Sequence, residues 1–170
     1  RLLHTIYTSP KMVIAQVAGH AIAGGCGLVP VCDIVFAVPD TLFGYTEVKI
    51  GFIPALVSCF LIRKLGEARV KELLLSGELV SAQTALQYGL INFIVEKDTI
   101  ETAVQHYAEK IAISTSAQSI AHTKALLNKV YDMSLEDGLQ QAVQYNAHAR
   151  SSDDCKRGIA AFLNKEKLTW

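Results

Sequence analysis

Met12-Val13-Ile14-Ala15-Gln16-Val17-Ala18-Gly19-His20-Ala21-Ile22-Ala23-Gly24-Gly25-Cys26-Gly27-Leu28-Val29-Pro30-Val31 is the stretch whose reading decides the fold. Its first part, Met12 to Ala18, is an apolar run of strand length. Its last part, Leu28 to Val31, is a second apolar run that could open a helix. Gly24, Gly25 and Gly27 stand between them. A strand that turns through glycines into a helix start leaves backbone N–H groups bare at a cavity. Such donors favour negative charge. Twenty residues past Gly27 comes a lone carboxylate, Glu47, in Phe43-Gly44-Tyr45-Thr46-Glu47. An anion-stabilising turn and one positioned acid are the minimum kit for chemistry beside a carbonyl.

Outward from this stretch, the pattern alternates. Lys11 to Ala18 and Asp33 to Val38 read as buried strands, and Leu42-Phe43-Gly44 as a short third. Ala21 to Val31 reads as a turn and a short buried helix. Gly51-Phe52-Ile53-Pro54 is a turn, with Pro54 suited to a helix start. Ala55 to Leu65 is a helix ended by Gly66, and Glu67 to Leu75 another, ended by Ser76-Gly77. Ser81 caps a short helix that Gly89 closes, and Ile91 to Val95 is a strand. Beyond Lys97 no strand pattern appears. Ile100–Ile113, Ser116–Tyr131, Ser134–Arg150 and Asp153–Glu166 carry the period of amphipathic helices. The expected division is therefore a strand-turn-helix core over residues 1–96 and a helical region over 97–170.

The 170 residues are about one domain's worth, and 51% of them are hydrophobic. That richness implies a large core or a buried subunit interface. Sixteen basic residues balance sixteen acidic ones. No basic surplus points to nucleic acid, and no polybasic block or bilayer-length apolar run points to a membrane. Cys26, Cys32, Cys59 and Cys155 fit no zinc spacing and read as reduced thiols of a cytoplasmic protein. Arg1 to Pro10 lacks the shape of a signal peptide. The chain opens on Arg1, and Leu2 to Thr8 reads as the end of a helix already under way. The expectation is that the natural N-terminus lies upstream.

Several motifs now agree in order and spacing. Lys11 to Ala21, Ala23-Gly24-Gly25-Cys26-Gly27-Leu28 and Cys32-Asp33-Ile34 resemble the first signature of the crotonase, or enoyl-CoA hydratase/isomerase, superfamily. Phe43 to Pro54 resembles the second. Leu74-Leu75-Ser76-Gly77, Ser81-Ala82, Gly89-Leu90-Ile91 and Ala160 to Lys165 continue the likeness. The resemblance implies an α/β spiral of ββα units with a C-terminal helical oligomerisation region that builds homotrimers or hexamers. It implies acyl-CoA thioester substrates, with coenzyme A as part of the substrate and no metal or redox cofactor.

What the resemblance implies for the site follows residue by residue. Gly24 matches the family's second oxyanion N–H, with Gly25 beside it at the substrate. The first such N–H belongs to an Ala- and Gly-rich loop upstream of the matched region. Glu47 matches the second of two hydratase glutamates, and Phe43, Tyr45 and Val48 give it an apolar setting that suits a base. The first glutamate falls at Gly27, so Glu47 is left as sole acid/base. Tyr45, Pro54 and Ala55 are expected to line the acyl pocket. Phe162 and Lys165, with Lys167, match the region that meets the nucleotide end of CoA. Gly27 together with Pro54-Ala55 resembles the methylglutaconyl-CoA hydratase-like branch, where room at Gly27 would take a branched or carboxylated acyl group. His20 and Cys26 read as structural groups. The implied activity is a lyase that adds water across a 2-enoyl-CoA double bond through a stabilised enolate. The alternatives are an isomerase or decarboxylase of the same fold, or a non-catalytic acyl-CoA- or RNA-binding relative.

Overall fold

The computed structural model describes residues 1–170. Contacts group them into two units, one of residues 1–7 and 13–106, the other of residues 8–12 and 107–170.

The first unit begins with α1 (Leu2–Tyr7) and β1 (Ile14–Val17). It continues through β2 (Ala21–Ile22), β3 (Ile34–Ala37), β4 (Leu42–Gly44), α2 (Ala55–Ser76), β5 (Val80–Ser81), α3 (Ala82–Tyr88) and β6 (Phe93–Ile94), and enters α4 (Ile100–Ser114). The first four strands alternate between two sheets, and β5 then joins the sheet of β4. One sheet has the order β1-β3-β6 and the other β2-β4-β5. The first is parallel throughout, with Ile14 opposite Ile34 and Phe36 opposite Phe93. In the second, β4 runs parallel to β2 and antiparallel to β5.

Side chains fix these registers. The Asp33 carboxylate accepts the Val13 N–H at 2.7 Å and so starts the β1–β3 ladder. The Asn92 side-chain oxygen accepts the Val35 N–H at 2.8 Å, while the Asn92 amide donates to the Val35 carbonyl at 2.9 Å. Phe36 and Phe93 stack with ring centroids 4.6 Å apart. Between the sheets and helices, Val35, Phe43, Leu61, Leu73, Leu90 and Ile91 are buried in one apolar cluster. Gly66 breaks α2 at φ 74 and ψ 168, a backbone that favours glycine, so the two helical segments read from the sequence meet at a kink. Ser81 caps α3 by accepting the Thr84 N–H at 3.2 Å.

One expectation is corrected here. Leu28 to Val31 does not open an α-helix. The chain makes a single 3-10 turn at Cys26–Leu28, and Pro30, which has no N–H, stops it from propagating. The segment before it also holds a strand the pattern did not predict, since two residues, Ala21 and Ile22, are too few to show a period.

The second unit carries the rest of α4, then α5 (Ala117–Val130), α6 (Leu135–Ser151) and α7 (Asp153–Asn164). Ser116, Ser134 and Ser152 cap the last three through their hydroxyl oxygens. Each such cap contributes about 1 kcal/mol. Large apolar residues remain exposed on all of these helices: Ile113 on α4, Leu127 on α5, Leu135, Leu139 and Val143 on α6, and Ile159, Phe162 and Leu163 on α7. No helix of either unit is long and apolar enough to cross a membrane.

Candidate active site

The glycine turn sits on the second sheet. β2 pairs with β4 up to Ile22 opposite Gly44, and the Ala23 amide extends the ladder by donating to the Gly44 carbonyl at 2.8 Å. Gly44 lets the segment of Glu78 and Leu79 come close. A Cβ there would collide with the Leu79 side chain and lie 3.3 Å from the Glu78 carbonyl oxygen. Ala23 then takes φ 50, a left-handed conformation rare for alanine. This reversal brings the chain round into the turn. The Gly25 amide donates to Ile22 O at 3.1 Å, and the Gly27 amide to Ala23 O at 3.1 Å and Gly24 O at 3.2 Å. The Gly24 amide is not used by any hydrogen bond within the chain.

Gly24 lines a cavity of about 260 Å³. A Cβ on Gly24 would meet nothing within 4 Å, so a side chain there would enter open space. Ala23, Gly27 and Glu47 share this side of the cavity, and Phe52 to Val57 with Leu3 form the rest of its lining. Glu47 is its only charged residue. A 3-10 turn, Thr46–Ile50, presents Glu47 directly after β4. The Glu47 carbonyl accepts the Phe52 N–H at 3.0 Å, and this bond ties the acid's backbone to the apolar segment of the lining that begins at Phe52. Its Oε2 is buried with no hydrogen-bond partner in the chain. A buried carboxylate oxygen left unpaired costs free energy, and it is poised to accept a hydrogen bond or proton from a bound molecule.

Cys26 and Tyr45 lie beneath this surface and are fully buried. The Tyr45 hydroxyl donates to the Cys26 carbonyl at 3.1 Å. Burial pushes the Cys26 thiol up to about 11, and the negative charge of Glu47 adds to the shift. Burial likewise holds the Tyr45 phenol well above its ordinary range, with Cys26 and Glu47 contributing. A thiol so far from ionisation is not a nucleophile at neutral pH. On the far side of the turn, the half-buried Lys64 of α2 donates from Nζ to Cys32 O at 3.1 Å and Val29 O at 3.4 Å. Its burial lowers its pKa.

Of the residues expected at the site, Gly24, Gly27, Glu47, Pro54 and Ala55 meet at this cavity. Gly25 and Tyr45 do not line it, because the Gly25 amide is spent within the turn and the Tyr45 ring is packed in the core. Phe162 and Lys165 belong to the helical unit. Phe162 is 82% exposed on α7. Lys165 caps that helix in the left-handed conformation, its amide donating to the Ala161 and Phe162 carbonyls. His20 is engaged structurally, its Nδ1 accepting the Leu42 N–H at 3.2 Å. Leu3, Phe52, Ile53, Leu56 and Val57 also line the cavity and were not anticipated. The adjacent apolar pair Phe52-Ile53 in a Gly-to-Pro loop was a visible signal; Leu3 gave none.

Residues 1–170 match the enoyl-CoA hydratase/isomerase family. The chain belongs to that family. A Thermus thermophilus relative is 44% identical over 165 residues, covering 97% of this chain and 65% of its own. The mitochondrial enoyl-CoA hydratase of Pongo abelii is 38% identical over 164 residues, covering 94% of this chain and 55% of its own. A crystal structure of enoyl-CoA hydratase from Bacillus anthracis superposes with a TM-score of 0.90 at 32% identity, over 99% of this chain and 65% of that one. The chain thus has the α/β crotonase fold of ββα units and C-terminal helices, and it spans under two thirds of the length of these relatives.

Proposed function

We propose that the protein to which this chain belongs is an acyl-CoA hydratase. It would add water across the double bond of a 2-enoyl-CoA thioester through an enolate. The observation that carries this reading is one shared cavity: Gly24, whose amide is unspent, and Glu47, whose Oε2 is unpaired, both line it. A thioester carbonyl makes the β-carbon electrophilic, and attack there places negative charge on the carbonyl oxygen. A preorganised N–H at that oxygen stabilises the enolate, each such donor typically contributing about 3 kcal/mol. Glu47 takes a proton from water as the water attacks and returns it to the α-carbon. Acid–base help of this kind is worth about 10²–10⁴-fold.

Gly27 favours a second reading. Among the residues lining the cavity Glu47 is the only acid, and one glutamate suffices to move a proton between carbons in a Δ3-Δ2 enoyl-CoA isomerase. Mass spectrometry of products from a panel of enoyl-CoA thioesters separates the two. Gain of one water supports the hydratase. A shifted double bond without mass change supports the isomerase, and loss of carbon dioxide a decarboxylase. CoA binding without conversion would overturn all three and favour a non-catalytic binder.

The finer substrate proposal is a branched acyl group of the methylglutaconyl type. It is supported by the space beside Gly27, where a Cβ would still be 3.8 Å from the nearest Val57 atom. The apolar lining supports the branch better than the second carboxylate, because no basic residue lines the cavity to meet it. Hydration of 3-methylcrotonyl-CoA and 3-methylglutaconyl-CoA, compared side by side, tests this. Lys165 and the exposed Phe162 are proposed as contacts for the nucleotide end of CoA, lysine meeting phosphate as a point charge. The exposed apolar faces of α6 and α7 support a homotrimer or hexamer, and sedimentation of the complete protein would test it. The cytoplasmic reading is kept as a proposal beside a relative that is mitochondrial by name.

A further inference from the structure

We propose that Tyr45 is a positioning residue that fixes the Gly24 amide relative to the Glu47 carboxylate, through its hydroxyl bond to the Cys26 carbonyl. The inference rests on the hydratase reading above. The donor and the acid lie on separate pieces of chain: the turn after β2, and the turn after β4. Besides the pairing of Ala21 and Ile22 with β4, the Cys26 thiol is hydrogen-bonded to the Gly44 backbone, and two further bonds flank the donor. One is the Ala23 amide to the Gly44 carbonyl at 2.8 Å, before the donor. The other is the Tyr45 hydroxyl to the Cys26 carbonyl at 3.1 Å, after it. The Gly24 amide lies between these two attachments. Tyr45 is likewise only two residues before Glu47, so the same side chain is anchored at the base of the acid's turn.

The need for a second attachment comes from Ala23. A left-handed alanine is strained and persists only where its surroundings over-determine it. The Gly25 and Gly27 amides shape the turn internally, while its placement against β4 rests on the Ala23 bond, the hydrogen bond of the Cys26 thiol with the Gly44 backbone, and the Tyr45 bond. The Tyr45 bond is the one among these that also reaches the base of the acid's turn. Tyr45 is completely buried, so the bond is not exchanged for water. Its acceptor carbonyl also receives the Val29 amide at 3.1 Å. Loss of the phenol hydroxyl would therefore leave no orphaned carbonyl, and phenylalanine keeps the ring packing.

The test is Tyr45→Phe in the complete protein. It is assayed with the best enoyl-CoA substrate of the wild type, alongside hydrogen exchange of the segment spanning residues 22–29. The expected result is a fall in kcat of about tenfold to a hundredfold, the size of effect that small misplacements produce. KM should stay within about twofold, because binding of the ground state is not what the bond secures. Exchange in the turn should quicken while β3 stays protected. Replacement by 4-aminophenylalanine, which keeps a donor in the same place, should restore most of kcat. An unchanged kcat overturns the proposal, whatever happens to exchange. So does a variant that loses its fold, because the bond would then serve the core and not the site. A wild type that converts no enoyl-CoA fails differently: it removes the hydratase reading itself, before the variant is compared.

Discussion

On one side of the cavity, the amides of Ala23, Gly25 and Gly27 are all committed to carbonyls within 3.2 Å, and the Tyr45 hydroxyl holds the turn from below. On the other side, Phe52, Ile53 and Leu56 are 63%, 65% and 76% exposed. The only backbone bond from that loop to the acid's turn is made by the amide of Phe52, apart from the cap at Gly51. The first wall is polar and cross-braced; the second is apolar and loosely held. The difference teaches how the labour is divided. Stabilising an enolate needs donors whose positions do not reorganise, whereas an acyl chain needs only apolar surface that can adapt to its shape. Chemistry is assigned to the braced wall and choice of substrate to the loose one.

The largest way to break this comparison is to remove the acid from the braced wall. Glu47→Gln keeps shape and most contacts but cannot take a proton. Turnover by the complete protein should fall by about 10²–10⁴-fold. CoA-thioester affinity, read by calorimetry, should change little. Retained turnover would show that the acid lies elsewhere.

Next in size is a substitution that fills the cavity from the same wall. Gly24 does not have a positive φ, and a Cβ there touches nothing. Gly24→Leu should therefore fold with a melting temperature near that of the wild type, while its side chain occupies the substrate's space. kcat/KM should drop by at least about tenfold, in the range that a few methylenes' worth of steric mismatch supplies. Normal activity would place the substrate away from Gly24.

Legibility in the sequence follows the same line. The braced wall was readable because its requirements are chemical and local. Glycines at 24, 25 and 27 announce a turn with close approach, and an acid isolated among apolar residues stands out. The strands β1 and β3 and the capped helices were readable for similar reasons, each having enough residues to show a period or a cap. What escaped notice depends on packing across distance. Tyr45 looked like a pocket residue, because nothing local shows that its ring turns into the core and its hydroxyl finds a carbonyl nineteen residues back. β2 and β5 have only two residues each and exist because β4 lies between them. Leu3 reaches the cavity from α1, a contact that no sequence spacing encodes.

A smaller effect probes the core beneath the braced wall by pH. The folded protein holds the Cys26 thiol protonated up to about 11, against 9.0 for an ordinary thiol. Between these values the folded state binds more protons than the unfolded state, so stability is full below pH 9 and is lost as pH rises towards 11. The loss from this group is on the order of 3 kcal/mol. Tyr45, also raised, acts in the same direction from about pH 10 upward. Urea midpoints at pH 8 and pH 10.5 should show the decline in the wild type, and Cys26→Ala should shrink it. An equal decline in both would assign the alkaline loss to other groups.

The smallest effect sharpens the comparison most, because it asks what makes the wall rigid. Ala23 is left-handed and lines the cavity. Glycine there would relieve about 1–2 kcal/mol of backbone strain, but it would also free the unfolded chain, which offsets about 0.4–1 kcal/mol. The net change for Ala23→Gly is a stabilisation of about 1 kcal/mol or less, within reach of careful denaturant titration. If rigidity comes from the bonds around the turn, the bonds of Ala23 to Gly44 and Gly27 survive the change. kcat should then move by less than about twofold, far less than for Tyr45→Phe. If kcat instead falls as far as it does in that variant, the alanine's restricted conformation is what aims Gly24. The hydrogen bonds would then be its consequence and not its cause.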